Sequence, residues 1–160
     1  MYVDFDSTLH PGAVYTKRGI GPYLFNCPGH HLFEHAPLLD KMLSEYPMVR
    51  IVLSTSWVTT YRGSIARVSG HLPPGLRRRV VGATFHSRMD REAFTAESRG
   101  IQIWSDVLRR KPERWLAIDD EIEGWPTWCI DRLVATDEML GISEPAVRIK
   151  LADKLKSTFG

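Results

Sequence analysis

Met1-Tyr2-Val3-Asp4-Phe5-Asp6-Ser7-Thr8-Leu9-His10 carries the pattern from which the architecture follows. A short apolar run leads into two aspartates spaced i, i+2, followed by Ser-Thr-Leu. Residues two apart in a strand share a face, so the spacing sets two carboxylates side by side at the strand's end. Like charges placed so closely raise a carboxyl pKa or recruit a cation. The pattern recurs in Trp115-Leu116-Ala117-Ile118-Asp119-Asp120-Glu121, again an apolar run ending in acids. If the two strands are neighbours, Asp4, Asp6, Asp119 and Asp120 converge on one point. Such a cluster of oxygen ligands suits Mg²⁺, which keeps several of its waters.

Working outward, apolar runs at residues 2–3, 49–53, 80–85, 115–118 and 128–134 read as short strands from their β-branched and aromatic content. Few polar residues alternate within them, as expected for strands covered on both faces of a parallel sheet. Between them, apolar residues at helical spacing predict helices over about 32–46, 57–68 and 101–110. A last helix is predicted from about Glu144, with Ser143 as N-cap and Pro145 in the first turn. Alternating strands and helices imply an α/β fold, a three-layer sandwich with a Rossmann-like parallel sheet. Residues 10–31 hold Pro11, Gly12, Gly19, Gly21, Pro22, Pro28 and Gly29, and read as a loop or short hairpin: a flap over the site, or plain surface. No internal repeat or boundary divides the chain, so 1–160 reads as a single domain.

Composition narrows the class. With 160 residues, 43% hydrophobic and 25% charged, the chain matches an ordinary globular domain. A net charge of +2 does not by itself argue for nucleic acid or a membrane surface as partner. Cys27 and Cys129 are too few and too far apart for a disulfide framework, which favours a reducing cytoplasm. No apolar run approaches transmembrane length, and the acidic, strand-like first residues do not read as a signal peptide.

Asp4-Phe5-Asp6-Ser7-Thr8-Leu9 resembles the first motif of the haloacid dehalogenase (HAD) superfamily, Asp-x-Asp-x-Thr/Val-Leu. Val49-Arg50-Ile51-Val52-Leu53-Ser54 resembles its second, and Ala117-Ile118-Asp119-Asp120 its fourth. The resemblance implies that Asp4 is a nucleophile toward phosphorus and Asp6 a general acid and base. It implies Mg²⁺ held by Asp4, the backbone carbonyl of Asp6, and Asp119 or Asp120. Ser54 would bind a phosphoryl oxygen; Thr55 and Ser56 are the alternatives, and Ser54 is favoured because the apolar run stops there. The third motif requires a Lys or Arg, and Arg99 in Arg99-Gly100-Ile101 fits, with Lys111 the rival. Ser7 stands where many relatives carry Gly. The dehalogenase branch lacks an acid at the position of Asp6, so its presence favours phosphoryl transfer.

Asp-Phe-Asp-x-Thr-Leu-His-Pro, Leu53-Ser54-Thr55-Ser56-Trp57 and Trp115-Leu116-Ala117-Ile118-Asp119-Asp120-Glu121 are similar to the small HAD domains of Swiss-army-knife RNA repair proteins. This resemblance implies a capless, Mg²⁺-dependent phosphomonoesterase. The segments between motifs leave no room for a large cap, and an open site suits a bulky phosphorylated substrate such as a nucleic acid end or a phosphoprotein. The alternatives are a nucleic acid 3′-phosphatase in RNA repair, and a non-catalytic Mg²⁺-binding module; the intact Asp6 argues against the latter.

Other features are read more plainly. His30, His31 and His35 lack a Cys or acidic partner at zinc-site spacing. Arg77-Arg78-Arg79 and Arg109-Arg110-Lys111 read as solvated charge before they read as phosphate binders. Trp104 and Trp115 fit a core; Trp125 lines the site or packs a loop. Glu121 supports the acidic loop.

Overall fold

A computed structural model describes residues 1–160. In chain order the elements are β1 (Tyr2–Val3), β2 (Val14–Lys17), β3 (Gly21–Leu24), α1 (Ala36–Leu43), β4 (Ile51–Leu53), α2 (Trp57–Thr60), α3 (Ile65–Ser69), α4 (Pro74–Arg77), β5 (Val80–Ala83), α5 (Arg91–Ala96), α6 (Arg99–Arg110), β6 (Ala117–Asp119), β7 (Leu133–Ala135) and α7 (Pro145–Phe159). Five strands pair in parallel in the order β5-β4-β1-β6-β7, and β2-β3 form a separate antiparallel hairpin.

The two-residue period of the strands divides the core. Val3, Ile51, Leu53, Ile118 and Val134 face one side, packed with Leu39 and Leu43 of α1 and Leu151 and Leu155 of α7. Tyr2, Val52, Ala117 and Leu133 face the other, packed with Ile103 and Val107 of α6. Both faces are therefore covered, which is why these strands read as continuous apolar runs. This is the three-layer α/β sandwich. Only the β2-β3 hairpin separates β1 from α1. The helices after β4 contribute Trp57, Val58, Val68 and Leu76 to the core, so no large cap is present.

Several boundaries differ from the expected ones. The helix expected over 57–68 is two short helices, because Arg62 and Gly63 adopt left-handed backbone (φ 53° and 80°) between them. The helix expected over 32–46 is confined to Ala36–Leu43. The N-cap of α7 is Glu144, not Ser143: its carboxylate accepts from the Val147 N–H at 2.8 Å. Helix α5 was not visible in the apolar pattern, having no buried residue; Asp90 caps it by accepting from the Ala93 N–H at 2.7 Å. The last strand is shortened by a 3₁₀ turn at Ile130–Arg132. There Trp128 is exposed and meets the partly buried Trp104 edge-on at 6.0 Å.

Five of the six residues in the basic runs are exposed, in keeping with solvated charge, and Arg79 is the half-buried exception. Arg79 donates to the carbonyls of Leu43 (2.7 Å), Tyr46 (2.9 Å) and Val49 (3.1 Å), closing the C-terminal end of α1 over β4. Arg77 donates to the Gly70 and Leu72 carbonyls, and Arg109 and Arg110 pair with the buried Asp106. Arg79→Ala therefore leaves several carbonyls without their charged donor. It should destabilise the protein by about 2 kcal/mol, seen as a lower urea midpoint at unchanged m value.

Candidate active site

The strand order reverses at β1. From β1 the chain moves to β4 and β5 on one side, then returns to β6 and β7 on the other. In open α/β sheets the crevice beyond the carboxyl ends of the strands at such a reversal is where ligands bind. The register fills it. Val3 pairs with Leu53 and with Ile118, so the next residues, Asp4, Ser54 and Asp119, come level across three adjacent strands. Two backbone hydrogen bonds fix this, Ser54 N–H to the Val3 carbonyl (3.0 Å) and Asp4 N–H to the Ile118 carbonyl (3.1 Å).

Asp4, Asp119 and Asp120 each place a carboxylate oxygen within 4.8 Å of the other two. Asp4 and Asp119 are buried, and Asp120 lies on the solvent side. Three of the four carboxylates expected to converge thus do so. Asp6 points its side chain elsewhere, so only its backbone carbonyl is left as a ligand from that residue. Burial is the largest cause holding the Asp4 carboxyl above the usual range; Arg99 opposes it and Asp6 adds to it. Asp119 is raised by burial and then by Asp4, again against Arg99.

Arg99 enters this cluster from the first turn of α6. Its Nη2 lies 3.8 Å from Asp4 Oδ1 and its Nε lies 3.2 Å from Asp119 Oδ2. The latter is an ion pair without hydrogen-bond geometry, since neither atom has a hydrogen-bond partner. Burial works against the Arg99 charge, but Asp4 and Asp119 more than restore it and raise its pKa. Lys111 sits at the far end of the same helix, exposed, in the left-handed cap position.

The start of α6 is built around this placement. Glu121 accepts from the Arg99 N–H at 2.9 Å, and Ser98 caps the helix by accepting from the Ile101 N–H at 3.4 Å. These amides are therefore occupied, not offered to an anion. Glu121 supports the loop, as read from the sequence. Gly100 is required because a Cβ would stand 2.7 Å from the Trp125 backbone. Trp125 is buried and donates to the Glu121 carbonyl at 2.7 Å, so it packs the loop.

Of the three neighbouring hydroxyls, Ser54 Oγ is buried with no hydrogen-bond partner. Thr55 Oγ1 accepts from the Trp57 N–H at 3.3 Å, and Ser56 is exposed. A buried hydroxyl without a partner costs free energy unless a ligand satisfies it. Three aspartates against one arginine would leave two negative charges unbalanced, and Asp119 Oδ2 lacks a hydrogen bond. The donor set therefore fits a hard divalent cation with oxygen ligands.

Two side chains with a role here gave no separate signal in the sequence. Trp57 Nε1–H donates to Asp6 Oδ1 at 2.9 Å, and His10 Nε2 meets the same oxygen at 3.0 Å. His10 Nδ1 accepts from the Phe33 N–H at 3.1 Å, so the ring proton lies on Nε2 and points at Asp6. His10 is fully buried among Phe33 and Trp57. The pair fixes one oxygen of Asp6 and leaves Oδ2 free. Both stand within the stretches that carry the resemblance, His10 before Pro11 and Trp57 after Ser56, but nothing in spacing alone aims them at Asp6.

Ser7 has φ 55°, in the left-handed region that glycine adopts most readily. His30, His31 and His35 gather around Glu34 and not around a metal-ligand geometry; His30 Nδ1 lies 2.6 Å from Glu34 Oε1. Cys27 and Cys129 are both free. A cavity of about 140 Å³ lies beside Asp6, lined by Val14, Thr16 and Pro22 of the hairpin and by Trp57 and Tyr61. A larger one, about 450 Å³, opens at the opposite pole near Met1, Tyr46, Arg110 and Trp115, and holds none of the clustered aspartates. No helix is long and apolar enough to cross a membrane.

Compared with known proteins, residues 1–147 match the family described as the HAD domain in Swiss Army Knife RNA repair proteins. No curated protein and no solved structure matches.

Proposed function

The chain belongs to the family of HAD domains in Swiss Army Knife RNA repair proteins, and from that premise we propose that it is a Mg²⁺-dependent phosphomonoesterase working through an aspartyl phosphate on Asp4. One observation carries the reading: Asp4, Asp119 and Asp120 within 4.8 Å of one another at the sheet's reversal point, with Arg99 against two of them.

An Asp4 oxygen attacks phosphorus and the bond to the leaving oxygen breaks, with Asp6 Oδ2 giving that oxygen its proton. Asp6, now a base, takes a proton from water as the water oxygen attacks phosphorus; the Asp4–phosphorus bond breaks and inorganic phosphate leaves. Arg99 stands beside the nucleophile and opposes the charge gathering there, and Ser54 Oγ–H donates to a phosphoryl oxygen. Mg²⁺, held by Asp4, the Asp6 carbonyl and Asp119 or Asp120, would supply positive charge between nucleophile and phosphate dianion.

The family name and the absence of a large cap favour a nucleic acid end as substrate, making the reaction a 3′-phosphatase step of RNA repair. Hydrolysis of para-nitrophenyl phosphate, with Mg²⁺ and with EDTA, tests the chemistry. Release of phosphate from a 3′-phosphorylated oligonucleotide tests the substrate. Mg²⁺-dependent turnover of both is expected. Turnover of neither would leave a non-catalytic Mg²⁺-binding module.

A further inference from the structure

The β2-β3 hairpin has two faces with different chemistry. Val14, Thr16 and Pro22 line the small cavity beside Asp6. The alternate residues Tyr15, Lys17 and Tyr23 share the other face, because strand neighbours alternate; Tyr15 pairs directly with Tyr23 and Lys17 with Gly21. The Phe25 N–H donates to the Ala13 carbonyl at 2.9 Å, which continues the register and places Phe25 on this same face. Tyr15 is 56% and Phe25 57% exposed. The Tyr15 ring lies 6.4 Å from that of Tyr23 and 5.4 Å from that of Phe25, so three rings form one contiguous aromatic surface.

Cation placement matches. Lys17 and Arg18 are exposed on the hairpin, and no Asp or Glu occurs between His10 and His31. Exposed rings beside cations, with acids excluded, are the chemistry of a surface that stacks bases while neutralising phosphates. The cavity on the inner face, about 140 Å³, is lined by Asp6 together with Val14, Thr16 and Pro22 of the hairpin, so the hairpin stands directly beside the site.

We propose that the outer face of the hairpin, Tyr15, Tyr23 and Phe25 with Lys17 and Arg18, binds a single-stranded nucleic acid next to its phosphorylated end. The proposal rests on the phosphatase reading for where that end lies, but not for the binding itself.

The test uses Asp4→Asn protein, so that no turnover consumes the probe, and a labelled single-stranded RNA octamer with a 3′ phosphate, read by fluorescence anisotropy. Tyr15→Val with Phe25→Val keeps β-branched residues on the strands but removes the π faces. Its affinity should fall at least tenfold. Tyr15→Trp should hold or raise affinity, and Lys17→Gln should flatten the salt dependence. Equal affinity of the valine variant and its parent overturns the proposal, as does an equal loss with Tyr15→Trp, which would report a damaged hairpin. Preference for a duplex octamer over the single strand also overturns it. Binding is measured without hydrolysis, so a failed phosphatase reading appears separately, as absent turnover in the wild-type protein.

Discussion

Asp4→Asn lowers Mg²⁺-dependent hydrolysis by about 10⁴-fold or more, and the same substitution makes the metal-free protein more stable at pH 8. The first effect follows from losing the oxygen that forms the bond to phosphorus. The second follows from charge. Asp4 is buried, and burial first, with repulsion from Asp6, holds its carboxyl above the ordinary range against the pull of Arg99. In the unfolded chain it ionises at the usual value of about 3.9. Between that value and the raised one the folded state binds the extra proton, so this group's contribution to stability falls as pH rises through the window. Asn carries no charge and escapes that loss. Melting curves in EDTA from pH 4 to 8 should show the wild type losing stability faster than the variant. Mg²⁺ should raise the wild-type Tm at pH 8 and the variant's by less. Retention of more than about one percent of the activity would remove Asp4 from the nucleophile's role. An inactive variant that melts below the wild type at pH 8 would show that the cluster is not electrostatically strained.

The sheet and its reversal point were legible because both depend on short-range signals. Apolar runs ending in Asp4, Ser54 and Asp119 mark three strand ends, and parallel register does the rest: once Val3 pairs with Leu53 and Ile118, the three residues have no choice but to meet. What spacing could not show was side-chain direction. The i, i+2 pattern at Asp4 and Asp6 suggested carboxylates on one face, but β1 ends at Val3, strand alternation does not carry to Asp6, and its carboxylate goes to His10 and to Trp57, 51 residues away. A partner as distant as Trp57 leaves no local period. Among the basic residues Arg79 departs from the solvated reading for the same reason. Arg79 looks solvated in sequence, yet its carbonyl partners lie 30 to 36 residues away. Helix α5 was illegible in another way: it has the Asp90 cap and an apolar contact, Phe94 against Phe85, and no apolar stripe. Arg99 was placed by the third motif, but the hold of Glu121 on its N–H and of Ser98 on that of Ile101 joins residues of two different loops to the helix start and shows in no local pattern.

In single-turnover formation of the aspartyl phosphate, Asp6→Asn should cost about 10²- to 10⁴-fold with an alkyl phosphate and much less with para-nitrophenyl phosphate, whose leaving group departs without a proton; the later hydrolysis, where Asp6 is the base, is common to both substrates. The contrast isolates the acid step, because both substrates need Asp4, Arg99 and the cation equally. It also reaches the two side chains that hold Asp6. Trp57 and His10 both bond Oδ1, so the carboxylate is held in one orientation at the edge of the cavity that Asp6 lines. Trp57→Phe keeps an aromatic ring among Phe5, Phe33 and His71 but deletes the N–H. With one of its two anchors gone, Asp6 samples other rotamers, and the productive geometry is lost part of the time. The expected result is about tenfold slower first-turnover release of the alcohol from the alkyl ester, with first-turnover release of nitrophenol nearly unchanged. A merely structural tryptophan would lower both rates together, because a loosened core shifts the whole site. Equal losses in the two release rates would therefore assign Trp57 to packing alone, and equal losses in Asp6→Asn would remove Asp6 from protonating the leaving group.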